Sequence, residues 1–493
     1  MNRRQLLLSS MAAAFASSRL NAADYLANAA GELPAISRTG GQITLPAGAV
    51  KQFRSGLKGA LLDSTSASYD STRKVWNGAF DRHPALIARC SNAADIQRSI
   101  EFARTHDVLV SVRGGGHSLP GYSQCEGGLM IDLAPMQSVW VDGGKRIVRA
   151  HPGVLLSGMD RAAQKSGLAV PAGTVSHTGI AGLTLGGGIG RLARAHGLSI
   201  DNLLSAYVVT PDGKQLHASA NENPDLFWAL RGGGGNFGIV SLFEYRAHPI
   251  GKRLMGGDII YPFRAAHDVL GYLSEHSADF PKDLYLEPIL ECDADGNRQL
   301  VVTVCHCGDL PQAERDLAAL RAAFKPTSDD VKPTPYVELQ SALDVKAPPG
   351  RSYYMTGGVG AAPPAKLIDH VIDAMQQPGA EMGKFNLTLH GGGVVAEVAP
   401  EATAFFYREA THNFVVRASW EDKKFAEQRT AWARATWAGV APFTKGFYAN
   451  LAAQAKAPPG AAFGGNFARL QEIKKKFDPT NLLHMNQNIT PAA

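Results

Sequence analysis

Apolar positions along this chain recur with two different spacings, and the alternation between them sketches the fold. Residues 85–88 (Ala-Leu-Ile-Ala) form a short continuous apolar run of strand length. Over 92–106 the apolar residues return at helical spacing behind Asn92, with Asp95 in the first turn, and this predicts a capped helix. Strands are predicted at 108–112 and 129–133, and 138–141 opens a hairpin through Asp142-Gly143-Gly144. A second block runs from about 154 to 249: a helix at 155–165, a strand and turn at 206–214, and a capped helix at 224–231. Beyond Pro249 the pattern changes. Strands at 284–290, 299–305, 385–389 and 413–419 alternate with helices, which places a domain boundary near residue 250.

Glycine interrupts this pattern in clusters. Val110-Ser111-Val112-Arg113-Gly114-Gly115-Gly116-His117-Ser118 is a β-branched run that ends in three glycines and a histidine. Glycines let a chain turn sharply and lay bare N–H groups against an anion such as a diphosphate. Two more clusters follow, Gly186-Gly187-Gly188-Ile189-Gly190 and Gly232-Gly233-Gly234-Gly235-Asn236-Phe237-Gly238. Three such turns in one half of the chain predict a large phosphate-bearing ligand gripped by backbone. The GGGH order differs from a GxGxxG turn opening a long helix, so the first block reads as an α+β nucleotide module rather than a Rossmann unit.

Bulk properties narrow the partners. The 493 residues suit two or three domains. Net charge is +5, from 49 basic and 44 acidic residues that are interspersed, so nothing resembles a nucleic-acid-binding arm. The run Lys474-Lys475-Lys476 reads as a solvated helix face. The N-terminus carries Arg3-Arg4, a short apolar run to Ser18, and Arg19, which describe a twin-arginine export signal over 1–29 with cleavage after Ala22 or Ala29. That run is too short to span a bilayer, so a periplasmic or secreted protein without a membrane span is expected after processing. Five cysteines leave at least one unpaired, and Cys305-His306-Cys307 lies in a predicted strand with no second His/Cys pair nearby, so no metal site is expected.

Taken together, these residues resemble the berberine bridge enzyme-like FAD-linked oxidases of the vanillyl-alcohol oxidase/para-cresol methylhydroxylase superfamily. The resemblance runs from about Tyr69 to Pro491. It rests on Trp76-Asn77-Gly78, Arg82-His83-Pro84, the 113–118 turn, Pro171-Ala172-Gly173, the 186–190 and 230–240 stretches, His196-Gly197-Leu198, Gly464-Gly465-Asn466-Phe467, Phe477-Asp478-Pro479 and Asn486-Gln487-Asn488-Ile489, in that order. It implies an α+β fold: a two-subdomain PCMH-type FAD-binding module over 31–250, and a substrate domain over 251–450 with an antiparallel sheet flanked by helices. A 451–493 segment would return to the first module. It also implies FAD bonded through a ring nitrogen of His117 to the flavin 8-methyl carbon, with Arg113, Gly114, Gly115, Gly116 and Ser118 cradling the diphosphate. Gly173, Thr174, Val175, His177, Gly179, Gly182, Gly187, Gly190, Ile239, Val240, Asn486 and Asn488 are the further cofactor contacts it implies. Many members add a second flavin link through a cysteine after Pro-Ala-Gly. Here that position holds Val175, so a single link is expected, which resembles bacterial members such as 6-hydroxy-D-nicotine oxidase.

The activity implied is removal of a hydride from an alcohol or amine carbon of a small molecule, with O2 as electron acceptor and H2O2 as product. A dehydrogenase using a quinone or cytochrome, a tailoring enzyme of secondary metabolism, and a non-catalytic secreted flavoprotein are the alternatives. A tyrosine or glutamate serves as base in such enzymes. The resemblance points to Tyr448, in Gly446-Phe447-Tyr448-Ala449-Asn450, and to Tyr354, in Arg351-Ser352-Tyr353-Tyr354. Arg408 and His412 lie between late strands where they could line a pocket, and Trp76 and Trp228 are assigned to the core.

Overall fold

Short apolar strands buried on both faces begin the fold. In the computed structural model, which describes residues 32–293, 295–451 and 460–493, Leu86–Arg89 pairs parallel with Leu129–Asp132, and that strand pairs parallel with Val110–Arg113. Ala60–Leu62 adds an antiparallel edge. The helix Ala93–Thr105 starts where the Asn92 side chain accepts the Asp95 N–H at 3.0 Å, and it buries Ile96, Ile100 and Ala103 against this sheet. A second, antiparallel sheet follows in the order Gln215–Ser219, Leu203–Val209, Ile239–Arg246, Ile147–Ala150, Val139–Asp142.

The C-terminal helix Phe467–Phe477 packs Leu470 and Ile473 into the core of this second sheet. Its Lys474 is fully buried, which corrects the expectation of a solvated basic face: only Lys475 and Lys476 are exposed. The Lys474 ammonium donates to Asp478 at 2.7 Å and to the carbonyls of Asn236 at 2.8 Å and Leu483 at 3.0 Å. Removing one partner of such a buried pair costs about 3–5 kcal/mol, so these bonds bind the chain end firmly to the third glycine turn.

Beyond residue 250 a large antiparallel sheet forms. Its central strands run in the order Arg253–Pro262, Arg298–His306, Leu284–Cys292, Gly383–Leu389, His412–Trp420, Ser352–Gly360. Alternation along these strands gives two faces. One face, with Leu286, Val302, Leu387, Phe414 and Val416, packs under the helices Ala266–Glu275, Leu310–Ala323, Ala365–Ala374 and Ala426–Val440. The opposite face looks toward the first half of the chain. The strands Arg253–Pro262 and Ser352–Gly360 carry no clear apolar signature because glycines replace side chains at Gly256, Gly257, Gly357 and Gly358. Space requires the absence: a Cβ on Gly256 would stand 2.7 Å from the Leu339 side chain, and one on Gly358 would stand 2.9 Å from the Gly446 carbonyl oxygen. Among the described residues, no helix is long and apolar enough to cross a membrane.

Candidate active site

The strand Val110–Arg113 ends in the first glycine cluster, and the backbone there touches another segment directly. A Cβ on Gly115 would lie 2.5 Å from the Gly179 nitrogen, and a Cβ on Gly179 would lie 2.4 Å from the Gly115 nitrogen. Side chains are excluded from both, so the chain presents its own amides at this place. Gly114, Gly115, Gly116, His117 and Ser118 line a cavity of about 430 Å3 between the two halves of the molecule. That size lies within the range of small-molecule and cofactor sites. Gly173, Thr174, Val175, Gly179, Gly182 and Gly190 form a second stretch of the same wall, with Ile239, Val240 and Asn486 beyond them.

His117 is held in a column of rings. It stacks on Trp76 at 4.2 Å and 17°, and Tyr353 stacks on Trp76 at 4.0 Å and 10°. Trp76 donates its indole N–H to the Ala347 carbonyl at 2.8 Å, and Asn77 donates to the carbonyls of Leu119 and Tyr353 at 2.9 and 3.0 Å. Trp76 is thus core by burial but also part of the cavity wall, which its sequence context did not reveal. The Nε2 atom of His117 is buried without a hydrogen-bond partner among the described residues. Burial, with His177 nearby, lowers the His117 pKa to about 3. The imidazole is therefore neutral at ordinary pH. A backbone cradle beside a neutral, ring-locked histidine fits an anionic, aromatic cofactor.

Several expected contacts lie outside the wall. Arg113 turns its guanidinium to the Thr72 carbonyl and stands 3.8 Å from buried Asp132, so it braces the turn from behind. His177 sits 5.1 Å from His117, ring to ring, without lining the cavity. Gly187, at φ +134°, packs beneath Tyr448, where a Cβ would stand 3.1 Å from the phenol ring. Asn488 is exposed. Arg408 is bidentate to Asp201 at 2.7 and 2.8 Å, and neither it nor His412 lines the cavity. Trp228 is buried in the core of the second sheet.

The two tyrosines separate by strand register. Tyr354 faces the helices, inside their apolar core and under the Arg434 guanidinium at 5.5 Å from its ring. Its neighbours Tyr353 and Met355 take the cavity side, so Tyr354 is corrected from the site to the core. Tyr448 follows the short strand Thr444–Gly446 and lines the cavity. Its phenol oxygen accepts the N–H groups of Gly188 at 3.0 Å and Ile189 at 3.3 Å and the Asn450 amide at 2.9 Å. Burial raises its pKa, and these three donors oppose the rise because they favour the phenolate.

The large sheet supplies a polar wall that sequence reading missed. Tyr285, Glu287, Asn386, Thr388, Asn413 and Arg417 all line the cavity. Glu287 accepts the Tyr285 hydroxyl at 2.8 Å, the Asn386 amide at 2.9 Å and the Thr388 hydroxyl at 3.3 Å. Their only mark in the sequence is polarity at every second position of apolar strands, as in Phe385-Asn386-Leu387-Thr388-Leu389.

Comparison with known proteins agrees with this architecture. A family model described as an FAD binding domain matches residues 84–219, and one described as berberine and berberine like matches residues 448–490. The chain is 30% identical over 467 residues to the (R)-6-hydroxynicotine oxidase of Paenarthrobacter nicotinovorans, covering 88% of this chain and 97% of that one. It is 29% identical over 449 residues to an FAD-linked oxidoreductase of Dictyostelium discoideum, covering 90% and 97%. The crystal structure of 6-hydroxy-D-nicotine oxidase from Arthrobacter nicotinovorans superposes with a TM-score of 0.81 at 28% identity, covering 88% of this chain and 98% of that chain. A chitooligosaccharide oxidase shares the fold at a TM-score of 0.81 and 23% identity, covering 90% and 100%. With its backbone cradle, its ring-locked histidine and its sheet-built second wall, this chain belongs to the berberine bridge-like family of FAD-linked oxidoreductases, and it is an enzyme.

Proposed function

We propose that this enzyme is an exported oxidase that holds FAD through one covalent bond to His117 and oxidises an alcohol or amine carbon of a small organic molecule. The observation that carries the reading is His117 itself: neutral, stacked on Trp76, with an unpaired ring nitrogen, at the end of a glycine turn open to the cavity. Gly114, Gly115 and Gly116 would hold the diphosphate with backbone N–H groups. Val175 lines the cavity and offers no thiol for a second bond. Bound FAD supplies a two-electron acceptor for hydride, with O2 as the expected reoxidant and H2O2 as product.

The protein's own part is to bind and to move a proton. Tyr448 would take the proton of the substrate hydroxyl or amine in its ionised form, which burial disfavours and its three donors favour, so that a C=O or C=N bond remains once the hydride has passed to the acceptor. Gly188, Ile189 and Asn450 stabilise the charged form of that oxygen. Trp76 and Tyr353 keep the His117 plane fixed. The export signal over 1–29 lies outside the described residues.

The test is His117→Ala. Wild-type protein should keep its yellow colour on the chain after acid precipitation, while the variant should release flavin to the supernatant. Flavin retained on the denatured variant would overturn the linkage. Peroxide formed one-for-one with product in air supports the oxidase; turnover only with a quinone or cytochrome would make it a dehydrogenase.

A further inference from the structure

The sheet wall of the cavity is chemically lopsided. Asn413, Val415 and Arg417 alternate along His412–Trp420 and all three line the cavity. Asn413 pairs across the sheet with Val359, which also pairs with Gly446, two residues before Tyr448. That end of the wall is the one nearer Tyr448, which packs in one cluster with Val359. Arg417 pairs with Met355 and Lys384, and lies four residues, about 13 Å, further along the strand.

Around Arg417 the other cations have direct acidic partners, while Glu291 and Glu287 act on Arg417 itself only through space. Lys346 reaches Glu291 at 3.3 Å and Asp258 at 3.7 Å, and Lys384 also pairs with Glu291. Glu287 is held by the neutral donors Tyr285, Asn386 and Thr388. Arg417 makes no hydrogen bond or ion pair with any described residue. Burial presses its pKa down, so the cation is poorly solvated where it stands. Five N–H donors in a planar fork thus face the cavity with no acceptor. At the other end the side-chain oxygen of Asn413 is buried without a donor.

We infer that the substrate is an organic carboxylate, its carboxylate gripped by the Arg417 fork and its reacting hydroxyl or amine donating to Asn413 beside Tyr448. The separation along the strand sets the scale: the anionic group and the reacting carbon stand at least a ring apart, as in an aryl or sugar acid, and a two-carbon hydroxy acid is too short. This inference rests on the flavoenzyme reading above and adds the substrate class to it.

The test uses the whole protein as purified and reads binding by calorimetry. Benzoate, phenylacetate and 4-(hydroxymethyl)benzoate are each titrated against the corresponding neutral amide. At least one carboxylate should bind about tenfold more tightly than its amide. Arg417→Met should erase that preference, and Arg417→Lys should keep part of it. Flavin content, read from the visible spectrum, should be unchanged in both variants. Equal affinities within all three pairs, a preference that survives Arg417→Met, or loss of flavin in either Arg417 variant would each overturn the inference while leaving the enzyme a flavoprotein. Wild-type protein that carries no flavin would overturn the flavoenzyme reading, and this inference with it.

Discussion

The two walls of the cavity are built on opposite principles. The wall from the first half of the chain is backbone: Gly115 and Gly179 touch so closely that neither position accepts a Cβ. The wall from the large sheet is side chain: Glu287, Asn386, Asn413 and Arg417 project from strands whose other face is apolar core. A backbone wall has one workable shape, because any added atom collides. A side-chain wall keeps its strands while its chemistry is exchanged residue by residue. The first suits a cofactor, which stays the same, and the second suits selection of a substrate.

That contrast can be broken deliberately. The largest effect is expected from Gly115→Ala, whose new methyl group must push the Gly179 backbone aside. Such overpacking costs about 1–3 kcal/mol or more and closes the cradle, so flavin content should fall at least about tenfold. Full flavin loading of this variant would show that the backbone contact is not what shapes the site. Next comes Tyr448→Phe, which leaves the cradle intact but removes the hydroxyl proposed above as the proton acceptor. Turnover should drop about 100- to 10,000-fold with flavin retained. If the loss is only severalfold, Glu287 becomes the base, and Glu287→Gln is the variant to measure.

A smaller effect concerns acid. His390 and His412 lie beside the sheet wall, and burial lowers their pKa values to about 4 and about 3, with Arg194 adding to the shift in both. Unfolded histidines titrate near 6.5. As pH falls below that value the unfolded chain takes up protons that the folded one refuses, so stability is lost down to about pH 4, by up to about 1.4 kcal/mol per pH unit for each imidazole. Denaturant titrations at pH 7.5 and 5.5 should show the decline, and His412→Gln should lessen the slope. A stability that rises on acidification would contradict the burial of these rings. The smallest effect is expected from Tyr354→Phe: its hydroxyl has no partner on the cavity side, so turnover should match wild type and stability should shift by no more than about 0.5 kcal/mol. A large loss of activity would put Tyr354 back in the site.

Much of the cofactor side was readable in the chain. Helix Ala93–Thr105 and its Asn92 cap, the strand leading into Gly114-Gly115-Gly116, and the position of His117 after the turn are local patterns, set within a few residues of one another. The misreadings are all non-local. Lys474 looks like its two lysine neighbours until Asp478 and two distant carbonyls enclose it. Trp76 looks like ordinary core until Tyr353, from the other half of the molecule, is stacked on one side of it and His117 on the other.

Residue types and their order alone determined that this protein has a glycine-built cradle, a histidine held beside it and a second domain of strands and helices, because turns, caps and alternation are properties of short stretches of backbone. Only the tertiary structure decided which residue of each strand meets the cavity. Moving one position along a strand reverses the direction of a side chain, so Tyr353 and Tyr354, adjacent in sequence, lie on opposite faces of the sheet. Register of that kind is set by pairing between distant strands. The Asn413, Arg417 and Glu287 wall therefore exists only once the chain has folded.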